Sequence, residues 1–259
     1  MSIRFEHVSK AFGKKVILND ISFEVEKGEI LFILGKSGMG KSVTLKHIIG
    51  ILKPDSGRVF VEKQEVSAAT EKELPSIRRK CGMVFQHPAL LDSMSVLSNI
   101  AFGLKTPQYL ESLGRLNQPL TEAEILKIVR EKLKLVQLAE SVLPKMPSEI
   151  SYGMQKRVSL ARTLAPGPDY LLFDEPTTGL DPIVTTAIND LISELSRALQ
   201  VTSVVVSHDM RCALSIADRI LMLDQGRILE CGTVEQIKKS KQPLIRDFLS
   251  EALEMEATS

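Results

Sequence analysis

The sequence predicts an α/β fold: a mainly parallel sheet flanked by helices, with an antiparallel β region at the N-terminus and an inserted helical region. Two observations carry this. Short, wholly apolar runs recur along the chain with helical stretches between most of them, the texture of strands covered on both faces. Ahead of the first such run, apolar and polar residues alternate instead, as in half-buried antiparallel strands.

Taken in order, Ile3 and Phe5, then Ile17, Ile21, Phe23 and Val25, make up the alternating region, and Glu26-Lys27-Gly28 supplies a turn. Ile30–Leu34 is a buried strand. It feeds a Gly-rich turn and a helix-period stretch running to Leu52, which Lys53-Pro54-Asp55-Ser56-Gly57 breaks. Met83–Phe85, Tyr170–Phe173, Val201–Val206 and Arg219–Leu223 read as further short strands. Between Gln86 and Tyr170 the pattern is helical: Thr121 and Glu124 form a capping box ahead of Ile125, Ile128, Val129, Leu133 and Val136 on one helix face. From Pro243, residues Leu244, Ile245, Phe248, Leu249 and Leu253 make an apolar stripe, and Met255–Ser259 a polar end. The expected division is a core of residues 1–86 and 168–240, a helical insert of 87–167 and a tail of 241–259.

Composition excludes several classes. Hydrophobic residues make up 44% and charged ones 25%, which is a folding, not a disordered, composition. No apolar run reaches the roughly 18 residues of a membrane helix; Ile30–Leu34 and Ile48–Leu52 are the longest. Arg4, Glu6, His7 and Lys10 break any secretory pattern at the start, so the expected compartment is the cytoplasm. A net charge of +1 lacks the field of a nucleic-acid binder, so phosphate must be held locally. Cys81, Cys212 and Cys231 are widely spaced and odd in number, as in small core residues of a reducing compartment.

The local phosphate site is explicit. Gly35-Lys36-Ser37-Gly38-Met39-Gly40-Lys41-Ser42 fits G-x4-G-K-[ST] between a buried strand and a helix. In that setting backbone N–H groups converge on phosphate oxygens, Lys41 reaches the terminal phosphates and Ser42 ligates Mg2+. Asp174 and Glu175 end another apolar strand, at the sheet edge where α/β ligands bind. Asp174 suits the metal's waters and Glu175 the water that attacks a γ-phosphate. His208 ends the Val204–Ser207 run at the same edge, and Gln86 follows Met83–Phe85 as a further metal or water ligand.

These motifs resemble the nucleotide-binding subunit of ATP-binding cassette (ABC) transporters, built on a RecA-like P-loop NTPase core. The resemblance covers nearly the whole chain. It makes Phe12 the adenine-stacking aromatic, Gly35–Ser42 the Walker A loop, Gln86 the Q-loop residue and Ile150-Ser151-Tyr152-Gly153-Met154 the signature. Asp174 and Glu175 become the Walker B pair, Gly179-Leu180-Asp181 the D-loop and His208 the switch histidine. It implies ATP and Mg2+ as ligands, with Glu175, His208, Lys41 and Gln86 catalytic. Ser151, Gly153 and Asp181 would serve the ATP held by a second, head-to-tail copy of the chain.

Two departures stand in the signature. Met154 replaces the usual Gln, which with Gln155-Lys156-Arg157 is similar to ATPases of Mla-type, MCE-associated lipid transporters. That likeness implies a polytopic membrane permease and an MCE-domain protein as partners, no nucleic acid, and a place at the cytoplasmic face of the inner membrane. Import of amino acids or another small polar solute is the alternative, and a soluble ABC ATPase not tied to transport a more remote one. Tyr152 replaces a glycine, and the expectation is that its side chain hinders close approach to a partner's γ-phosphate.

Overall fold

A computed structural model describes residues 2–115 and 118–257. The first strands are β1 (Ile3–Phe12), β2 (Lys15–Val25) and β3 (Ile30–Leu34), followed by α1 (Lys41–Ile48), β4 (Ser56–Val61) and β5 (Gln64–Glu65). Then come α2 (Leu74–Lys80), β6 (Cys81–Val84), α3 (Val96–Ala101), α4 (Pro107–Ser112), α5 (Glu122–Leu135) and α6 (Tyr152–Leu164). The remainder is β7 (Tyr170–Asp174), α7 (Pro182–Leu199), β8 (Thr202–Ser207), α8 (Met210–Ile216), β9 (Arg219–Asp224), β10 (Arg227–Thr233), α9 (Val234–Lys238) and α10 (Pro243–Ala257).

Two sheets result. The N-terminal one is antiparallel, in the order β2-β1-β4-β5; the central one runs β10-β9-β3-β8-β7-β6 and is parallel except for β10, which pairs antiparallel with β9. The period of two sorts each central strand between two cores. Ile30, Phe32, Leu34, Leu171, Phe173, Val205, Ile220 and Met222 face the core that also holds the α3, α5, α6, α7, α8 and α10 side chains. Leu31, Ile33, Leu172, Val204, Val206, Leu221 and Leu223 face α1 and the antiparallel sheet. Polar ligands are thereby left to the strand ends.

Several boundaries shift for local reasons. The first helix stops at Ile48, not Leu52, because Gly50 at φ 64° closes a Schellman motif: Gly50 N–H donates to His47 O and Ile51 N–H to Lys46 O. Strand β6 lies at Cys81–Val84, starting two residues and ending one residue before the expected Met83–Phe85, which leaves Phe85 exposed ahead of Gln86. The edge strand β10 carries no apolar alternation through Glu230-Cys231-Gly232 and was not expected. The Thr121–Glu124 capping box forms as expected, with both reciprocal hydrogen bonds.

The tail packs on its own chain. Ile245, Phe248 and Ala252 are buried on α10 against α8, whereas Leu253, expected on the stripe, is 62% exposed. The polar end expected at Met255–Ser259 is helical to Ala257, and Thr258 and Ser259 lie outside the described residues. Cys81 and Cys212 are buried thiols whose burial pushes their pKa up to about 12, so both are inert core residues. Among the described residues no helix is long and apolar enough to cross a membrane.

Candidate functional site

Strand β3 ends in a loop that turns straight into α1, and two glycines fix that path. A Cβ on Gly35 would stand 2.3 Å from the Leu223 carbonyl oxygen of β9, so only glycine allows the loop to leave the sheet there. Gly40 caps α1 at φ 100°, pressed against Leu18 and the Ile17 carbonyl. No acidic side chain occupies the first turn of α1, which leaves its N–H groups and positive dipole end facing the loop. Lys41 folds back beneath the loop and donates to Gly35 O at 2.7 Å and Lys36 O at 3.1 Å.

The carboxylates arrive from β7, the second strand to the side. Ser42 Oγ donates to Asp174 Oδ1 at 2.6 Å, tying the start of α1 to the end of β7. Glu175 then turns into the left-handed region at φ 50°, a conformation a non-glycine residue holds at a cost of about 1 kcal/mol. Its N–H still donates to Val206 O of β8 at 3.0 Å, so the turn is held from the neighbouring strand. This aims the carboxylate over the loop: Oε1 lies 3.3 Å from Lys41 Nζ, and Oε2 lies 2.7 Å from His208 Nδ1 and accepts from Thr178 Oγ1 at 3.2 Å. Lys41 and Glu175 are both largely buried, while the His208 ring is open to solvent.

These groups line one cavity of about 730 Å³. Lys36, Ser37, Gly38, Gly40, Lys41, Ser42, Gln86, Glu175 and His208 contribute to it, and Asp174 reaches it through Ser42. Gly35 and Met39 belong to the same loop; Met39 Sδ accepts from the Gln225 N–H. Sequence reasoning missed Lys15, Ile17, Thr178, Phe248 and Glu251, which also line the cavity. Lys15 and Ile17 come from the hairpin opposite Phe12, and Phe248 was visible only as one member of an apolar stripe.

Four further expected residues lie away from both that cavity and its loop. Phe12 is 49% exposed at the hairpin end, with Lys10 Nζ 5.6 Å from its ring centroid. Asp181 caps α7, accepting from Val184 N–H at 3.0 Å. Ser151 caps α6, accepting from Met154 N–H at 3.3 Å, and Gly153 follows it in that helix, packed toward Val184. The chain therefore presents a second helix N-terminus away from its own phosphate loop. Tyr152, expected to hinder close approach to a partner's γ-phosphate, shares a hydrogen bond with His87 Nδ1 at 3.2 Å within its own chain.

The profile of the ABC transporter family matches residues 18–178. The chain belongs to the ABC transporter family and is an ATPase of it. The ATPase is 38% identical over 247 residues to the methionine import ATP-binding protein MetN of Carboxydothermus hydrogenoformans, covering 94% of this chain and 70% of that protein. It is also 38% identical over 237 residues to the intermembrane phospholipid transport system ATP-binding protein MlaF of Haemophilus influenzae, covering 92% and 86%. Among solved structures, a dimeric ATP-binding cassette in a post-hydrolysis state with ADP and Pi superposes with a TM-score of 0.78 at 30% identity over 90% of this ATPase and 98% of that chain. A Clostridium perfringens cassette that is part of an ABC transporter complex gives 0.80 at 29% identity over 98% of each.

Proposed function

We propose that this ATPase energises phospholipid transport as one half of a head-to-tail pair. The pair would sit at the cytoplasmic face of the inner membrane, beneath a polytopic permease joined to an MCE-domain lipid-binding protein. The observation that carries the ATP chemistry is Glu175, held in a left-handed turn between Lys41 and His208 over the phosphate loop.

In this proposal the loop from Gly35 to Ser42 wraps the phosphates, with Lys41 transferring from Glu175 to the terminal phosphate as ATP enters. Glu175, freed on that side, orients the attacking water and takes its proton at a carboxylate oxygen, and His208 holds the other oxygen. The oxygen set of Ser42, Asp174 and Gln86 fits a hard divalent cation such as Mg2+, which would neutralise charge on the β- and γ-phosphates. Phe12, at the exposed hairpin end beside Lys15, would stack on adenine. Ser151 and Gly153, with Asp181 capping the α7 helix toward which Gly153 packs, would complete the site of the second copy, since the α6 N-terminus lies apart from the chain's own loop.

The lipid assignment rests on Met154 and on the likeness to MlaF. The equal identity to MetN favours a second reading, import of methionine or another small polar solute. Purification of the assembled transporter separates them. A permease with an MCE-domain subunit, together with ATP-dependent transfer of labelled phospholipid between vesicles, is the expected result. ATP-dependent methionine uptake with no lipid transfer would replace it with the second reading.

A further inference from the structure

The nucleotide cavity and the α6 N-terminus are joined inside this chain by a contact that the chemistry above does not use. Lys156, one turn into α6, is 3% exposed, and its ammonium donates to the backbone carbonyl of Gln86, the residue whose side chain lines the cavity. The same ammonium stands 5.6 Å from the centroid of the Tyr152 ring. Tyr152 in turn shares its hydroxyl with His87 Nδ1 at 3.2 Å. Six residues further along α6, Arg162 Nη1 donates to Ala89 O at 2.8 Å.

We propose that Lys156 is a positioning residue that locks the start of α6 to the backbone of Gln86, with Tyr152–His87 as a second strut. The residue facing this chain's nucleotide and the helix end offered to a partner's nucleotide then move as one body.

The physical case is the cost of the cation. Burying an ammonium without a carboxylate is unfavourable, and the Lys156 side chain is almost wholly withdrawn from water. A carbonyl and an aromatic face are what hold the charge here: the carbonyl belongs to the Gln86 segment and the ring to the first turn of α6, the two parts to be coupled. A methionine of similar length would fill the same space without the desolvation cost. What a charged donor adds is direction: its hydrogen bond specifies where the Gln86 carbonyl lies relative to α6. Tyr152 also acquires a use here. A glycine at that position would supply neither the π-face for Lys156 nor the hydroxyl for His87.

The inference rests on the proposed ATP chemistry, so the experiment separates the two. Lys156→Met and Lys156→Arg are made in the full chain, and ATP affinity, kcat and KM are measured beside Glu175→Gln. The expected result for Lys156→Met is ATP affinity within about twofold of the parent and kcat lowered about tenfold, because misplacing a group by even an ångström is costly. Lys156→Arg, which keeps a charged donor, recovers most of the rate. A Lys156→Met enzyme with parental kcat, an Arg variant no better than Met, or affinity falling in step with kcat each overturns the proposal. If Lys156→Met does not fold by thermal melt, the double variant Tyr152→Phe/His87→Leu decides, since it removes only the second strut: lowered kcat at parental affinity supports the proposal and parental kcat overturns it. An active Glu175→Gln enzyme would sink the underlying ATP reading instead, whatever Lys156 does.

Discussion

Lys41 and Glu175 meet 3.3 Å apart across the floor of the nucleotide cavity, with both side chains mostly withdrawn from water. The cation that an incoming phosphate needs is thus already paired with the carboxylate proposed to act on water. Each partner is aimed before substrate arrives: Lys41 is held by the Gly35 and Lys36 carbonyls and Glu175 by Thr178 and His208. In the proposed mechanism, when phosphate takes Lys41 the remaining contacts hold Glu175 in place, an arrangement preorganised for a transition state.

Glu175→Gln keeps the shape and the Thr178 contact but cannot take a proton. It is expected to bind ATP normally and to lose about 100-fold or more in turnover, the range for removing a general base. Lys41→Ala should instead weaken ATP binding itself, because the ammonium contacts ground-state phosphate. Equilibrium nucleotide titration and steady-state hydrolysis on both variants check the split; a Glu175→Gln enzyme turning over at the parental rate would remove Glu175 from its role.

Gly35→Ala should be damaging well beyond its size. The added carbon would meet a backbone oxygen of β9 at 2.3 Å, and neither strand can yield without breaking the parallel pairing of β3 and β9. A destabilisation of about 3 kcal/mol is expected, the upper end for overpacking, together with loss of ATP binding. Gly38→Ala is the control, since a Cβ there meets nothing within 4 Å, though its φ of 81° still carries a smaller backbone cost. Denaturant melts of the two rank them, and equal stabilities would remove the close-approach account of Gly35.

Much of this site was legible from local spacing alone, and the exceptions share a cause. The loop, the Asp174-Glu175 pair and His208 sit directly after apolar runs, so strand ends could be located and ligands assigned to them. The left-handed turn at Glu175 is not visible that way, because it is imposed by the hydrogen bond to Val206 of another strand. Phe248 and Glu251 reach the cavity from α10 through tertiary packing, and Thr178 is brought in by the turn that follows Glu175. The end of α1 was misplaced because Ile51 and Leu52 continue the apolar pattern past Gly50, where backbone capping outweighs periodicity. Tyr152 was read against a glycine and its bulk and hydroxyl were weighed only toward a second copy, so its intrachain partner His87 was not foreseen.

His47 sets an acid limit on stability. It is 1% exposed, Nδ1 lies 2.7 Å from Val43 O, and Nε2 has no partner. Burial is the main reason that its pKa lies below the ordinary 6.5, with nearby Lys10 adding to the effect and the Val43 bond and Asp55 opposing it. The unfolded chain therefore binds the proton more readily. The stability that neutral His47 contributes is complete above about pH 6.5 and is lost as pH falls below that value toward the depressed folded pKa. His47→Leu should show a smaller drop in Tm than the parent between about pH 7.5 and pH 5. Parallel drops in the two proteins would mean that other groups set the acid limit.

The final prediction concerns which chain supplies Ser151. Ser151 caps α6 and lies outside the cavity formed by the phosphate loop of its own chain. If it serves a second copy, damage to Ser151 and damage to Glu175 fall on different sites when carried by different chains. Glu175→Gln alone and Ser151→Arg alone should each be nearly inactive, since every site in either homodimer carries one defect. In an equal mixture about half of the pairs are mixed, and in each of these one site has both defects while the other has intact Glu175 and intact Ser151. About a quarter of parental activity should then return on mixing, provided the sites act independently. Ser151→Arg also loses a helix cap worth about 1 kcal/mol, so its melt is measured first. Mixing two folded, inactive variants and recovering nothing would place Ser151 in service of its own chain's nucleotide, or of none.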